Sequence, residues 1–152
     1  MIRTSGRGYE AATLAAGEAA GTALVLDEPL SFWGGFDAAT GRITDRHHPQ
    51  VGAILTGAVL VMPGGRGSSS SSSVLAEAIR AGTAPAAILL GEPDLIITLG
   101  ALVASELYGR SVPIAVLPAH LYGTIADGEA ILVDAVDERA AIVIDGGDEA
   151  RS

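Results

Sequence analysis

Gly64-Gly65-Arg66-Gly67, followed by an unbroken run of serines from Ser68 to Ser73, is the stretch whose residue types and spacing could do chemistry. An apolar run, Ala58 to Met62, leads in, and a helical pattern, Val74 to Arg80, leads out. The order therefore predicts strand, glycine turn and helix N-terminus. The first turn of a helix has main-chain N–H groups without partners, at the positive end of the helix dipole. Glycines let a ligand approach the main chain closely. Serine hydroxyls can cap the helix or face a ligand. Arg66 adds a permanent planar cation suited to carboxylate or phosphate. The combination predicts a small-anion site with a hydroxyl in its middle.

Other readings of the same residues bound that expectation. A serine run also has the composition of a flexible linker. A Walker loop needs Gly-Lys-Ser/Thr, and the chain contains no lysine. Gly65, Gly67 and Ser70 fall on the dinucleotide-binding spacing, but a serine stands where the third glycine belongs. A second concentration of unusual residues is Leu30 to Asp37, which holds Trp33, Phe32 and Phe36 around Gly34 and Gly35. It reads either as a strand whose aromatics enter the core or as a loop whose glycines bring the main chain close to a neighbour. Asp45 to Pro49, with His47 and His48, reads as a polar surface turn, because adjacent histidine side chains diverge and rarely ligate one metal. His120 reads as structural or exposed.

These residues must be positioned by a single domain. A chain of 152 residues favours one domain and is long enough to bury about 68–70% of its unfolded surface. It is 49% hydrophobic and 18% charged, in the range of globular proteins. Its net charge of −9 argues against nucleic acid and against an anionic membrane surface, both of which want a basic face. Cysteine is absent, so no disulfide forms and no thiolate of this chain holds zinc or an iron–sulfur cluster. Ala11 to Ala20 is too broken for a signal core, and no apolar stretch reaches membrane-spanning length, so a soluble cytoplasmic protein is expected.

The organisation read from the sequence is a flexible N-terminal extension over 1–20, a domain over 21–145 and a polar tail over 146–152. Strands are predicted at Thr22–Leu26, Arg42–Thr44, Ala58–Met62, Ala86–Leu90, Val112–Leu117, Ala130–Val133 and Ala140–Ile144. One helix follows the serines and ends at Gly82. A second starts at Glu92-Pro93-Asp94 and ends at Gly109, with Leu95, Ile96, Leu99, Leu102, Val103 and Leu107 on one apolar face. The order predicts a mixed α/β domain with a partly parallel sheet or open barrel and two main helices.

Several motifs in order carry a family resemblance. They are Ser31-Phe32-Trp33-Gly34-Gly35-Phe36-Asp37, Thr40-Gly41-Arg42-Ile43-Thr44-Asp45, His48-Pro49, Gly64-Gly65-Arg66-Gly67-Ser68-Ser69, Gly82-Thr83-Ala84-Pro85, Leu99-Gly100-Ala101 and Glu106-Leu107-Tyr108-Gly109. Together they resemble the small subunit, or swivel domain, of the aconitase X family, from about Thr22 to Leu117. The resemblance implies a swivelling β/β/α fold and a large partner subunit carrying the cysteines of an iron–sulfur cluster. It implies a hydro-lyase acting on a small hydroxy acid, either cis-3-hydroxy-L-proline, giving 1-pyrroline-2-carboxylate, or mevalonate 5-phosphate. The family's catalytic serine falls on Ser68, although the family often has a glycine within a tract that is unbroken here.

Dehydration of such a substrate removes a proton beside a carboxylate and expels hydroxide from the next carbon. On this reading Ser68 is the base. Gly65, Arg66, Gly67, Ser69 and Ser70 bind substrate, with Arg66 as a carboxylate clamp or a contact to the partner. A cluster iron on the partner would serve as Lewis acid. Trp33, Gly34, Gly35, Asp37 and His48 are candidates for a lid or interface. Two readings from other classes stand beside it. A swivelling phosphocarrier would need a histidine where the serines lie. A serine hydrolase using Ser68, His120 and Asp134 would lack the Gly-X-Ser-X-Gly elbow.

Overall fold

A computed structural model of the protein describes residues 6–145. Its elements are β1 (Arg7–Ala15), β2 (Gly17–Val25), α1 (Phe32–Gly35), β3 (Phe36–Asp37), β4 (Arg42–Ile43), β5 (Val59–Met62), α2 (Ser70–Ala81), β6 (Ala87–Leu90), α3 (Leu95–Tyr108), β7 (Ile114–Val116), α4 (Ala119–Tyr122), β8 (Ala130–Ala135) and β9 (Arg139–Asp145). Strands β1-β7-β6-β5-β2-β8-β9 form a barrel in that order, and β9 pairs back to β1. β2, β5, β6 and β7 are mutually parallel, and the remaining pairings are antiparallel. This is the mixed α/β class expected from the sequence, with α2 and α3 as the main helices. The sheet anticipated as open is closed. Among the described residues no helix is long and apolar enough to cross a membrane.

The parallel strands explain how the core is divided. Val59-Leu60-Val61-Met62 and Ala87-Ile88-Leu89-Leu90 are buried on both faces, as strands covered from both sides must be. Leu60, Met62, Ile88 and Leu90 point to one core with Leu75 and Ile79 of α2. Val59, Val61, Ala87 and Leu89 alternate into the barrel, where Ile131 and Ile142 meet them. The period of two thus sorts each strand between two packed layers.

The expected loose extension over 1–20 is corrected by β1 and the start of β2. Arg7 to Ala12 pair with β9, and Ala12 to Ala15 pair with β7, so β1 closes the barrel. The barrel therefore already includes Arg7, well before residue 21. The fully buried residues of β1 are Ala11, in the barrel, and Ala15, in the core beneath the helices, both small and contributing little to hydrophobic periodicity. Residues 1–5 and the tail predicted over 146–152 lie outside the described residues. The serine run is no linker, since Ser70 to Ser73 form the first turn of α2. Gly82 ends α2 in the left-handed conformation at φ +83°, as its position predicts.

The second helix is where sequence and structure part. α3 starts on Asp94, whose Oδ1 accepts the Ile97 N–H at 2.9 Å, and ends on Gly109. Its buried face consists of Ile97, Thr98, Gly100, Ala101 and Ala104. Gly100 is what lets α3 lie close to α2, because a Cβ there would come within 2.7 Å of the Ser72 carbonyl oxygen. The face expected to be core points outward, with Leu95 79% exposed, Leu107 67%, Leu99 52% and Leu102 49%.

The aromatic stretch is neither the strand nor the simple loop considered above. Phe32 and Phe36 are buried edge to face, with ring centroids 5.1 Å apart. Between them the helical turn of α1 breaks at Trp33 and at Gly34, which sits at φ +87°. That break turns the Trp33 side chain outward, 57% exposed.

Candidate active site

β5 delivers the chain to Pro63, and the glycine turn then crosses the start of α3. A Cβ on Gly64 would come within 3.0 Å of the Glu92 carboxylate, and one on Gly65 would run into Asp94 and Ile97. Gly65 also bridges to Leu30. Gly67 adopts φ +106° directly over Ser31, leaving no room for a side chain. The glycines are thus required by close neighbours on two sides, the α3 cap and the Ser31 loop.

Ser68 follows at the mouth of α2. Its Oγ accepts the Ser70 N–H at 3.2 Å, and its carbonyl accepts the Ser71 N–H at 3.0 Å. The Ser69 carbonyl accepts the Ser72 N–H at 3.2 Å and the Ser72 hydroxyl at 2.8 Å. Ser69 itself, at the N-cap, makes no side-chain capping bond. Arg66, Gly67, Ser68, Ser69 and Ser70 are all exposed, so a hydroxyl, a helix N-terminus and a cation share one open surface. The Arg66 Nη2 donates to the Pro29 carbonyl at 3.1 Å, and no carboxylate pairs with Arg66 among the described residues. The guanidinium therefore keeps donors for an anion.

Two serines that the sequence reading passed over hold this surface together. Ser71 is buried, and its Oγ accepts the Trp33 N–H at 3.1 Å. The Ser31 hydroxyl donates to the Trp33 carbonyl at 2.6 Å. Trp33 is thereby fixed beside the serine turn through both of its main-chain groups. A signal for Ser71 did exist, since Ser71, Leu75 and Ala78 stand at i, i+4 and i+7, the spacing of one inward helix face. Ser71→Ala should lower stability by about 1–3 kcal/mol, the cost of an unsatisfied buried donor. It should also shift the emission of the single tryptophan, whereas Ser73→Ala should change neither; a thermal melt and a fluorescence spectrum check this.

The other lid or interface candidates fall elsewhere. Gly34 lies beside Trp33 with open space around it. Gly35 is buried, and its carbonyl accepts the Thr44 N–H at 2.9 Å, so it is a packing position. The Asp37 carboxylate accepts the Ala39 N–H at 2.9 Å and the Thr40 hydroxyl at 3.0 Å, which shapes the turn into β4. His48 is only 2% exposed, contrary to a surface turn. Its Nδ1 accepts the Gln50 N–H at 3.0 Å, which places the ring proton on Nε2, and Nε2 donates to the Glu28 carbonyl at 3.1 Å. That is a satisfied structural histidine. The hydrolase alternative loses its geometry, because Ser68 bonds to main chain while His120 and Asp134 are exposed on α4 and β8.

The donor set does not fit an iron–sulfur cluster. There is no cysteine, and among the described residues no three His, Asp or Glu side chains converge. The serine turn is also not enclosed. A hollow of about 440 Å³ lined by Glu10, Ala11, Val116, Leu117 and Arg139 runs along β1 and β7 and shares no residue with the turn. The geometry is that of an open surface and not of an enclosed cavity.

Comparison with known proteins shows the family. The sequence profile described as the aconitase X swivel domain matches residues 8–144. The chain is 53% identical over 123 residues to cis-3-hydroxy-L-proline dehydratase of Pseudomonas aeruginosa, covering 76% of this chain and 21% of that protein. It is 40% identical over 120 residues to the phosphomevalonate dehydratase small subunit of Methanothermobacter thermautotrophicus, covering 78% and 87%. The crystal structure of Thermococcus kodakaraensis aconitase X in its holo-form superposes with a TM-score of 0.78 at 29% identity, over 90% of this chain and 98% of that one. The chain thus spans about a fifth of the length of the Pseudomonas dehydratase and most of the length of the archaeal subunit.

Proposed function

This chain belongs to the aconitase X swivel-domain family, and from that premise we propose that it is one part of a dehydratase that removes water from cis-3-hydroxy-L-proline to give 1-pyrroline-2-carboxylate. The observation that carries the choice of substrate is the identity, 53% over 123 residues to the Pseudomonas hydroxyproline enzyme against 40% over 120 to the Methanothermobacter phosphomevalonate subunit and 48% over only 80 to that of Methanopyrus kandleri. Within the reaction this chain supplies Ser68 as the base, with Gly65, Arg66, Gly67, Ser69 and Ser70 around the substrate. A serine hydroxyl is a weak base unless its oxyanion is stabilised. The Ser70 N–H already points at Ser68 Oγ, and that bond becomes charge-assisted when the oxygen is an alkoxide. The positive end of α2 adds to the same field. Arg66, which no carboxylate pairs with among the described residues, is suited to hold the substrate carboxylate through paired N–H groups.

The rest of the site comes from a large aconitase X chain, which also holds any iron–sulfur cluster, since this chain has no cysteine and none of its described residues form a ligand set. A phosphocarrier role is disfavoured because serines occupy the helix start where a histidine would be needed. The complex of this chain with the large chain should turn over cis-3-hydroxy-L-proline and leave mevalonate 5-phosphate untouched, and this chain alone should turn over neither. Assaying both compounds with the complex and with the iron-free single chain tests this. Activity on the phosphorylated compound alone would reverse the assignment of substrate, and turnover by the single chain would remove the need for a partner.

A further inference from the structure

We propose that the outward face of α3, centred on Leu95, Leu99 and Leu102, is the surface on which the large chain docks; this rests on the two-chain reading above. A helix apolar on every side is normally buried. From Leu95 to Ala104 α3 is apolar on every side except at Thr98, with Glu106 bounding the exposed side beyond, yet only the side of Ile97, Gly100, Ala101 and Ala104 is fully covered within this chain. Leu95, Leu99 and Leu102 stand at i, i+4 and i+7 and form one exposed stripe, with Ile96 and Val103 half-buried along its edge. Contiguous exposed leucines of this kind mark contact surfaces in soluble proteins.

The position of the stripe identifies the occupant. It begins at the serine turn, because Asp94, one residue before Leu95, is the group packed against Gly65. On the other side of the turn stands the exposed indole of Trp33, tied to Ser31 and Ser71. Leu95 and Trp33 are thus exposed large apolar side chains that adjoin the residues packed against the turn, where a body covering it would seat. The swivel domain makes up a fifth of one relative's single polypeptide and nearly the whole of another relative called a small subunit. In both arrangements the companion is the remaining large polypeptide. A second copy of this chain would instead bring another net charge of −9 and another bare serine turn to the same place.

The test is the affinity of this chain for the large aconitase X chain of the same organism, immobilised for surface plasmon resonance. The double variant Leu99→Glu/Leu102→Glu should bind on the order of 100-fold more weakly than wild type, because buried carboxylates without partners oppose association. Its melting temperature should match wild type, since both side chains already face water. Leu132→Glu/Val143→Glu changes another exposed apolar pair, matched across β8 and β9, and should bind as wild type does. Ser68→Ala should also bind as wild type. If the α3 variant binds normally while wild type binds tightly, the docking surface is elsewhere and this inference falls alone. Selective weakening by the β8–β9 variant has the same meaning. If wild type shows no binding to the large chain, the two-chain reading falls with it. If sedimentation shows wild type self-associating through Leu99 and Leu102 with unchanged affinity for the large chain, the stripe belongs to a homodimer and the inference is overturned.

Discussion

Ser68→Ala in the assembled enzyme should lower kcat by about 10²–10⁴-fold, the range for losing a positioned general base. The affinity for substrate should change far less, because Arg66 and the α2 N-terminus remain. Folding should survive as well. Ser68 makes one local bond to the Ser70 N–H, and loss of such a cap costs about 0.5–2 kcal/mol. Alanine at Ser73, an exposed position one turn further along, should be silent, and alanine at Ser72 should lose only a bond to the Ser69 carbonyl. A serine-by-serine scan, with assembly and iron content measured for each variant, separates chemistry from folding. Loss of turnover at Ser69→Ala or Ser70→Ala with Ser68→Ala active would move the base along the run. Full activity in all of the variants would assign the base to the partner.

The second large effect is expected at Gly67. At φ +106° an L-residue is strained, and here Ser31 also fills the space a Cβ would take. Gly67→Ala should therefore push Ser68 away from its place by a large fraction of an ångström or more. Misplacement on that scale costs on the order of 10²-fold in rate. Strained main chain adds about 1–3 kcal/mol of destabilisation. The two causes can be separated. Ser31→Gly in the Gly67→Ala background removes the collision but not the strain, so kcat should recover in part while stability stays low. Steady-state kinetics and melting curves on the single and double variants decide the matter. No recovery in the double variant would mean that the φ angle alone governs the turn.

Much of this was legible in the sequence, for definite reasons. β5, β6 and α2 announce themselves through apolar runs and through Gly67 and Gly82, which punctuate the chain where φ must be positive. The gap between the apolar runs of β8 and β9 is polar, and there Asp137 accepts the Arg139 N–H at 3.0 Å. β1 was missed because its inward residues are alanines, so burial leaves little trace in hydrophobicity. The inner face of α3 was missed for the same reason. Close helix packing there uses Gly100, Ala101 and Ala104, and the large leucines that looked like core lie outside. His48 was misread because its two partners, Glu28 and Gln50, contribute only main-chain atoms, which no side-chain pattern reveals. In the candidate site the glycine turn and its serines were legible, but Ser31 and Ser71 were not, since Ser71 holds a main-chain N–H 38 residues away along the chain and Ser31 holds the carbonyl of that same residue.

The closure of the barrel by β1 has a consequence for how such a domain can be carried. Arg7 pairs with Ile144, so the first and last strands lie side by side and the described chain enters and leaves at one corner. Ends so placed can be bridged by a short connector, and the chain reopened at an exposed turn, without disturbing a strand pairing. They also let the whole unit be spliced into a loop of a larger polypeptide with both junctions at the same point. Gene fusion, fission and insertion are then changes of covalent connection only. The serine turn, carried on β5 and α2 in the middle of the sequence, keeps its surroundings through all of them.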